Sequence, residues 1–333
     1  MSVKVGIIGN GFISNSHRKT YKELTADGIE VEVVAVSDVR PEFTKDCAPA
    51  ERVYGDYHEL LENEVGKLDY VDICLPTFLH MPAAVAAMDL GYNVLCEKPM
   101  AIDTEAAQAM CDAAKRNDRK LMIAQSWRFH PYCAIMRDYV QQKKLGRVKC
   151  AHFNRNGGTP GWSWEGWHFD KARSGGAFLD LHMHDVDAMN SIFGVPNAVT
   201  TAAQSNWPGS GYDIGATIYY YDDGLFVTST VDWTTPHQKY GSASKVIVFE
   251  NGYLYKGEFD GQSVFKAVDR DGNETDLLQP CKTSYYMEMK YYIDCLVNNK
   301  PITFCAPEES RDSVRIIMAE CRSADLNGER VTL

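Results

Sequence analysis

Apolar and polar positions alternate between two periods along the first 125 residues. Compact runs rich in β-branched residues, at 3–8, 31–38, 70–75, 93–96 and 120–125, predict strands. The stretches after Ser14 to about Leu24, and at 57–61, 82–90 and 104–116, carry the mixed spacing of helices. Strand and helix in alternation predict an α/β domain, a doubly wound parallel sheet with helices on both faces, whose ligands lie beyond the carboxyl ends of the strands. The pattern then changes. Strand-like runs at 147–154, 215–221, 225–231 and 245–249 are separated by turn residues such as Asp222-Asp223-Gly224 and Asn251-Gly252. A helical stretch at 307–327 opens on Pro307 and is followed by Gly328. The shift predicts two domains, 1–124 and 125–333.

Composition narrows the class. A chain of 333 residues, 45% hydrophobic and 24% charged, exceeds one comfortable core and is not disordered. Its net charge of -11, from 34 basic and 45 acidic residues, argues against nucleic acid or an anionic membrane as partner. The apolar run at the N-terminus is too short for a signal peptide, and no run is long enough for a membrane helix. Ten scattered cysteines include no Cys-x-x-Cys pair, and several, such as Cys74 and Cys96, fall in apolar runs. Reduced, buried thiols in a cytoplasmic protein are expected.

The turn after the first strand reads Gly9-Asn10-Gly11-Phe12-Ile13-Ser14, the first two glycines of a dinucleotide fingerprint with serine at the third position. The third glycine serves helix–strand packing, so a small serine leaves the phosphate role intact. Asp38, 24 residues after Ser14 at the end of the second strand, stands where an acid grips the ribose hydroxyls and repels the extra phosphate of NADP. Arg40 is the counter-signal, because a guanidinium binds that phosphate or stacks on adenine. NAD is therefore expected over NADP. A lysine, Lys98, follows the strand at 93–96 and precedes Pro99, which holds it extended.

The densest chemistry lies in Gly175-Gly176-Ala177-Phe178-Leu179-Asp180-Leu181-His182-Met183-His184-Asp185-Val186-Asp187. If the segment after Gly176 is one helix, Asp180, His184 and Asp187 share a face and His182 points away. An unperturbed histidine has a pKa near neutrality, so His184 suits proton exchange with an alcohol. Lys98 would stabilise charge on the same oxygen, with Asp180 orienting imidazole and substrate. No metal is expected, since His182 and His184 diverge on a helix and no ligand pair of zinc spacing accompanies them. His182 is left between pocket lining and helix capping. Trp162, Trp164, Trp167 and His168, with Glu165 and Asp170, suit sugar faces and hydroxyls, although aromatic packing is the competing reading. Asn154, Arg155 and Asn156 are further pocket candidates, Arg155 most of all for a sugar acid.

These motifs resemble the Gfo/Idh/MocA family of oxidoreductases. The resemblance spans nearly the whole chain and rests on Gly9 to Ile13, Leu75-Pro76-Thr77-Phe78-Leu79-His80, the run from Gly91 to Pro99 that ends in Glu97-Lys98-Pro99, Arg128-Phe129-His130-Pro131, and Asp180-x-x-x-His184. It implies Lys98, Asp180 and His184 as catalytic residues. Gly9, Asn10, Gly11, Phe12, Ile13, Asp38, Arg40, Pro76, Thr77, His80, Glu97, Lys98, Gln125, Trp127 and Arg128 fall on the cofactor side. The substrate side takes Lys98, Asn154, Arg155, Trp162, Trp164, Trp167, His168, Asp180 and His184. The resemblance also implies a cis Lys98–Pro99 bond, a second domain built on a large, open, predominantly antiparallel sheet, and a homo-oligomer, dimer or tetramer. His182 departs from the glycine usual there. The expected activity is hydride transfer between NAD and a secondary hydroxyl of a sugar, cyclitol or sugar derivative. Tightly held NAD used in a transient oxidation, and a non-catalytic cofactor-sensing regulator, are the alternatives.

Overall fold

The computed structural model describes residues 2–47, 51–235, 243–259 and 261–333, with the side chain of Phe259 left out. The chain divides into two compact units. The first comprises Met1–Phe129 and Lys282–Arg311, the second His130–Cys281 and Asp312–Leu333.

In the first unit the strands are β1 (Val3–Ile8), β2 (Val31–Ser37), β3 (Arg52–Tyr54), β4 (Tyr70–Ile73), β5 (Asn93–Glu97) and β6 (Leu121–Ala124). They form one sheet in the order β3-β2-β1-β4-β5-β6, and every pair is parallel. The order reverses between β1 and β4, so a crevice opens at their carboxyl ends, where such sheets hold ligands. The helices α1 (Phe12–Ala26), α2 (Tyr57–Asn63), α3 (His80–Asp89) and α4 (Thr104–Arg116) connect the strands. Asp103 caps α4 through the Ala106 amide at 2.7 Å, and the helix buries Ala107, Met110, Cys111 and Ala114 on one face.

The expected boundary at 124/125 needs correcting, because the first unit is completed from far along the chain. Tyr286, Met289, Tyr292 and Ile293 pack into the same core as Val3, Val5, Ile7, Leu24, Tyr70 and Met122. Their spacing is that of a single helical stripe. Asp27 accepts hydrogen bonds from Lys282 Nζ at 2.6 Å and Tyr286 Oη at 2.7 Å, tying the start of this late helix to the end of α1.

The second unit begins with α5 (Pro131–Gln141) and β7 (Val148–Gly158), followed by three short helices, α6 (Lys171–Ser174), α7 (Gly176–Asp180) and α8 (Met183–Phe193). Next come β8 (Ala198–Gln204), β9 (Ile214–Tyr220), β10 (Phe226–Thr235), β11 (Ala243–Phe249), β12 (Gly252–Phe259), β13 (Gln262–Asp269) and β14 (Glu274–Asp276). The late helix of the first unit is α9 (Ser284–Val297); α10 (Pro307–Asp325) and β15 (Val331–Thr332) finish the chain. The second sheet has nine strands in the order β14-β13-β12-β11-β7-β10-β9-β8-β15 and is antiparallel except for the β7–β10 pair. The open, predominantly antiparallel sheet is the one the resemblance implies.

Candidate active site

The cofactor side is built by β1, β2 and α1. Gly9 has φ +88°, and a Cβ there would lie 2.7 Å from the Cys74 carbonyl oxygen, so only glycine fits this turn. Gly11 stands at the N-cap of α1 without a side-chain cap, which leaves backbone N–H groups of a 15-residue helix for an anion. Ser14 is buried and donates to the Gly11 carbonyl at 2.7 Å, so the serine at the third fingerprint position is satisfied within the turn. Asp38 accepts the Asn10 amide at 2.8 Å, and the Asn10 side chain donates to the Phe43 carbonyl at 2.6 Å. The Arg40 guanidinium lies 4.0 Å above the Phe43 ring. Phe12 is 69% exposed, and Ile13 half-buried, on the first turn of the helix.

Other expected cofactor residues divide into open and internally engaged groups. Thr77 Oγ1 and both amide atoms of Gln125 are buried with no hydrogen-bond partner among the described residues. They follow the carboxyl ends of β4 and β6, so a dinucleotide's polar groups fit there. Pro76 precedes the short 3-10 turn Thr77–Leu79. His80, by contrast, braces two loops: its ring nitrogens lie 2.7 Å from the Pro99 carbonyl and 2.8 Å from that of Leu75, and burial lowers its pKa. Glu97 turns inward, one oxygen 2.9 Å from His17 and the other accepting the Lys98 amide at 2.9 Å. Arg128 is buried on Glu309, and Trp127 is half-buried beside it. Lys98 is half-buried and its bond to Pro99 is cis.

In the second unit the glycine pair has a structural cause. Gly175 and Gly176 have φ +76° and +75°, and a Cβ on Gly176 would lie 2.7 Å from the Ser210 carbonyl oxygen. The expectation of one helix after Gly176 is corrected: α7 ends at Asp180, and α8 starts at Met183. At the break the His182 amide bonds back five residues to Ala177, while Val186 bonds to His182. A shared face for Asp180, His184 and Asp187 therefore does not follow from helical spacing. Asp180 and His184 are partly exposed, whereas Asp187 is buried and accepts from Ser313 Oγ at 3.0 Å. His182 is resolved as an internal group, its Nε2 2.9 Å from Tyr219 Oη and 3.4 Å from Glu320. It neither lines a pocket nor caps α8 with its side chain.

Arg155 and Asn154 sit on opposite faces of β7, as strand alternation requires. Asn154 accepts from Thr230 Oγ1 at 2.6 Å on the open face. Arg155 is buried on the other, with Nε 2.6 Å and Nη2 3.1 Å from the two oxygens of Asp185. Lys245 Nζ completes a buried trio 2.8 Å from the same carboxylate. Burial opposes the Asp185 charge, but Arg155 and Lys245 outweigh it and hold the carboxyl far below its usual range. Arg155 is thus committed inside the unit.

The tryptophan-rich loop carries one buried imidazole. His168 packs between Trp162, centroids 4.6 Å apart and edge-on, and Trp167, at 3.8 Å. Its Nδ1 lies 2.9 Å from Ser163 Oγ and its Nε2 3.9 Å from Asp180 Oδ2. Trp162 is 60% exposed, and Trp164 is exposed too, so the loop that carries His168 presents flat apolar surface. Asp170 caps α6 through the Ala172 amide at 2.9 Å, and Glu165 adopts φ 49°. Sequence reasoning passed over His17 and Asp72, whose only signal is polar residues inside apolar helix and strand faces.

The model of the oxidoreductase family with an NAD-binding Rossmann fold matches residues 3–125, and that of the GFO/IDH/MocA C-terminal domain matches residues 134–255. The chain belongs to the Gfo/Idh/MocA family. Its first unit is an NAD-binding Rossmann domain. Among curated relatives, levoglucosan dehydrogenase of Pseudarthrobacter phenanthrenivorans is 29% identical over 62% of this chain and 55% of its own. D-glucoside 3-dehydrogenase of Escherichia coli K12 is 31% identical over 61% of this chain and 57% of its own. The chain spans little more than half the length of these relatives. Solved structures share the fold throughout. The WlbA dehydrogenase of Bordetella pertussis, in complex with NADH and UDP-GlcNAcA, has a TM-score of 0.85 at 21% identity, covering 100% of this chain and 99% of its own. Levoglucosan dehydrogenase with NADH and L-sorbose has a TM-score of 0.85 at 19% identity, covering 99% and 98%.

Proposed function

We propose that the protein is an NAD-dependent dehydrogenase of a secondary hydroxyl on a sugar, cyclitol or sugar derivative. One observation carries the choice of residues. Of the five titratable groups from Asp180 to Asp187, His182, Asp185 and Asp187 are buried and paired inside the second unit, while Asp180 and His184 remain partly exposed. NAD, when bound, accepts the hydride that leaves the carbinol carbon. His184 takes the hydroxyl proton, and Asp180 orients the imidazole and the substrate. Lys98 stabilises negative charge as it develops on the oxygen. Asp180 Oδ2 lies 3.9 Å from His168 Nε2, and the exposed Trp162 and Trp164 offer the sugar an apolar surface. Gly9, Asn10, Gly11, Phe12, Ile13, Asp38, Thr77 and Gln125 hold the cofactor.

Relatives named for levoglucosan, D-glucosides and inositol support this substrate class. NADH absorbance, followed with purified protein and NAD against levoglucosan, methyl glucosides and myo-inositol, tests it. Growth of NADH in step with ketone is expected. Product without NADH overturns the simple dehydrogenase in favour of a transient oxidation, and no reaction across the panel favours a regulator. No helix among the described residues is long and apolar enough to cross a membrane, and all ten cysteines are free, which supports a cytoplasmic setting. Ile214, Ile218, Phe226 and Tyr253, 38–41% exposed on the second sheet's open face, support self-association into a dimer or tetramer, checked by light scattering.

A further inference from the structure

Near the carboxyl ends of β4 and β5, the ring of His17 is buried between two carboxylates. Its Nδ1 lies 3.1 and 2.9 Å from the oxygens of Asp72, and its Nε2 lies 2.9 Å from Oε1 of Glu97. Where both carboxylates are ionised they can only accept, and a ring that bonds both of them donates from each nitrogen as an imidazolium. Burial works against that charge, but Asp72 outweighs it and His17 stays protonated well above its ordinary pKa. The rest of the surroundings agree. Tyr21 donates to Asp72 at 2.7 Å, Tyr70 donates to Tyr21 at 2.8 Å, the Cys74 sulfur is 3.5 Å from Nδ1, and the Tyr285 ring of α9 lies 5.8 Å away by centroids. His17, Asp72 and Cys74 have the spacing of metal ligands, but direct hydrogen bonds account for their nitrogen–oxygen distances.

The other Glu97 oxygen accepts the Lys98 amide at 2.9 Å. Glu97 is therefore fixed at one end by an imidazolium and bound at the other to the peptide unit from which the Lys98 side chain starts. We propose that His17 is a positioning residue for Lys98: by fixing the Glu97 carboxylate it fixes the Lys98 amide, and with it the direction in which the ammonium projects. The proposal rests on the role given to Lys98 above. It also gives α1 two tasks, because the helix that presents its N-terminus at the glycine turn carries His17 a turn and a half further on. One rigid element then sets both the phosphate cradle and the lysine.

Amide hydrogen exchange in the full-length protein tests this without a substrate. In His17→Gln the Lys98 amide is expected to exchange about tenfold faster or more, while β1 amides and NAD affinity stay within about twofold of wild type. Turnover of the best substrate from the sugar panel is expected to fall about tenfold, and by nothing further when His17→Gln is added to Lys98→Met. Should His17→Gln not fold, Glu97→Ala removes the same acceptor without stranding two carboxylates, and it carries the same expectations for Lys98 exchange and for turnover. Unchanged Lys98 exchange, or an equal loss of turnover in the Lys98→Met background, overturns the proposal. Full turnover in Lys98→Met alone instead sinks the catalytic role of Lys98, an outcome the exchange measurement separates from the positioning claim.

Discussion

Arg40 grips Asp38 at both carboxylate oxygens, its Nε on Oδ1 and its Nη2 on Oδ2, each at 2.9 Å. Burial alone would raise the Asp38 carboxyl, but hydrogen bonds from the Arg40 side chain and from the Arg40 and Asn10 amides hold it below the usual carboxylate range. The acid is ionised at neutral pH and opposes a second phosphate, while its partner is the cation that would welcome one. Asp38→Ala should weaken NAD binding about tenfold, the worth of one or two hydrogen bonds, and release Arg40 for NADP. Fluorescence titration of the variant with both cofactors reads the ratio; an unchanged preference for NAD would mean that Asp38 does not set it.

His184→Ala should lower kcat by roughly two to four orders of magnitude, the ordinary contribution of a positioned acid–base group. NAD affinity should stay within about threefold, because every residue proposed to hold the cofactor belongs to the first unit. Steady-state kinetics beside a binding titration separates the two quantities. Loss of NAD affinity together with kcat would make His184 a structural residue.

Asp185 answers two cations with one buried carboxylate. Its removal strands both Arg155 and Lys245, so Asp185→Ala should cost about 3–5 kcal/mol of stability, the usual loss on breaking a buried pair. The native carboxyl is depressed, so its contribution is complete above an unfolded pKa of about 4 and is lost only as pH falls through the lower native value. Urea denaturation of wild type and variant should therefore differ by the same amount at pH 5 and pH 7. A gap that closes at pH 5 would contradict this account.

His17 has the opposite sign. Its native pKa is raised, so its contribution is complete below an unfolded value of about 6.5 and is lost as pH climbs through the native one. Wild-type stability should decline from about pH 6.5 upward, by at most ~1.4 kcal/mol per pH unit from this group. Subtracting the same curve for His17→Gln should isolate that slope. Parallel curves would show that the ring does not hold its proton.

Much of the first sheet is legible in sequence because its signals are local. The α4 helix is bounded by Asp103 and Asn117 and striped by small apolar residues, and the spacing alone finds both of its ends. The β3 strand escapes because three residues on a sheet edge, mostly exposed, carry no apolar alternation. The break at Leu181–His182 has no proline or glycine to announce it, and the Tyr219 hydroxyl that holds His182 lies 37 residues on. His17 is plain as a histidine on an apolar helix face, but its partners stand 55 and 80 residues away. Arg155 fits a sugar-acid pocket by type, but it alternates with Asn154 along β7 and so faces inward, onto Asp185.

The return of α9 to the first sheet bears on how the protein is made. A nascent chain stopped at Phe129 has all six strands, yet it lacks the stripe of Tyr286, Met289, Tyr292 and Ile293 that packs with Tyr70 and Met122. The nucleotide-binding half therefore cannot complete its core during its own synthesis. That core closes only once the chain has been extended through Ile293.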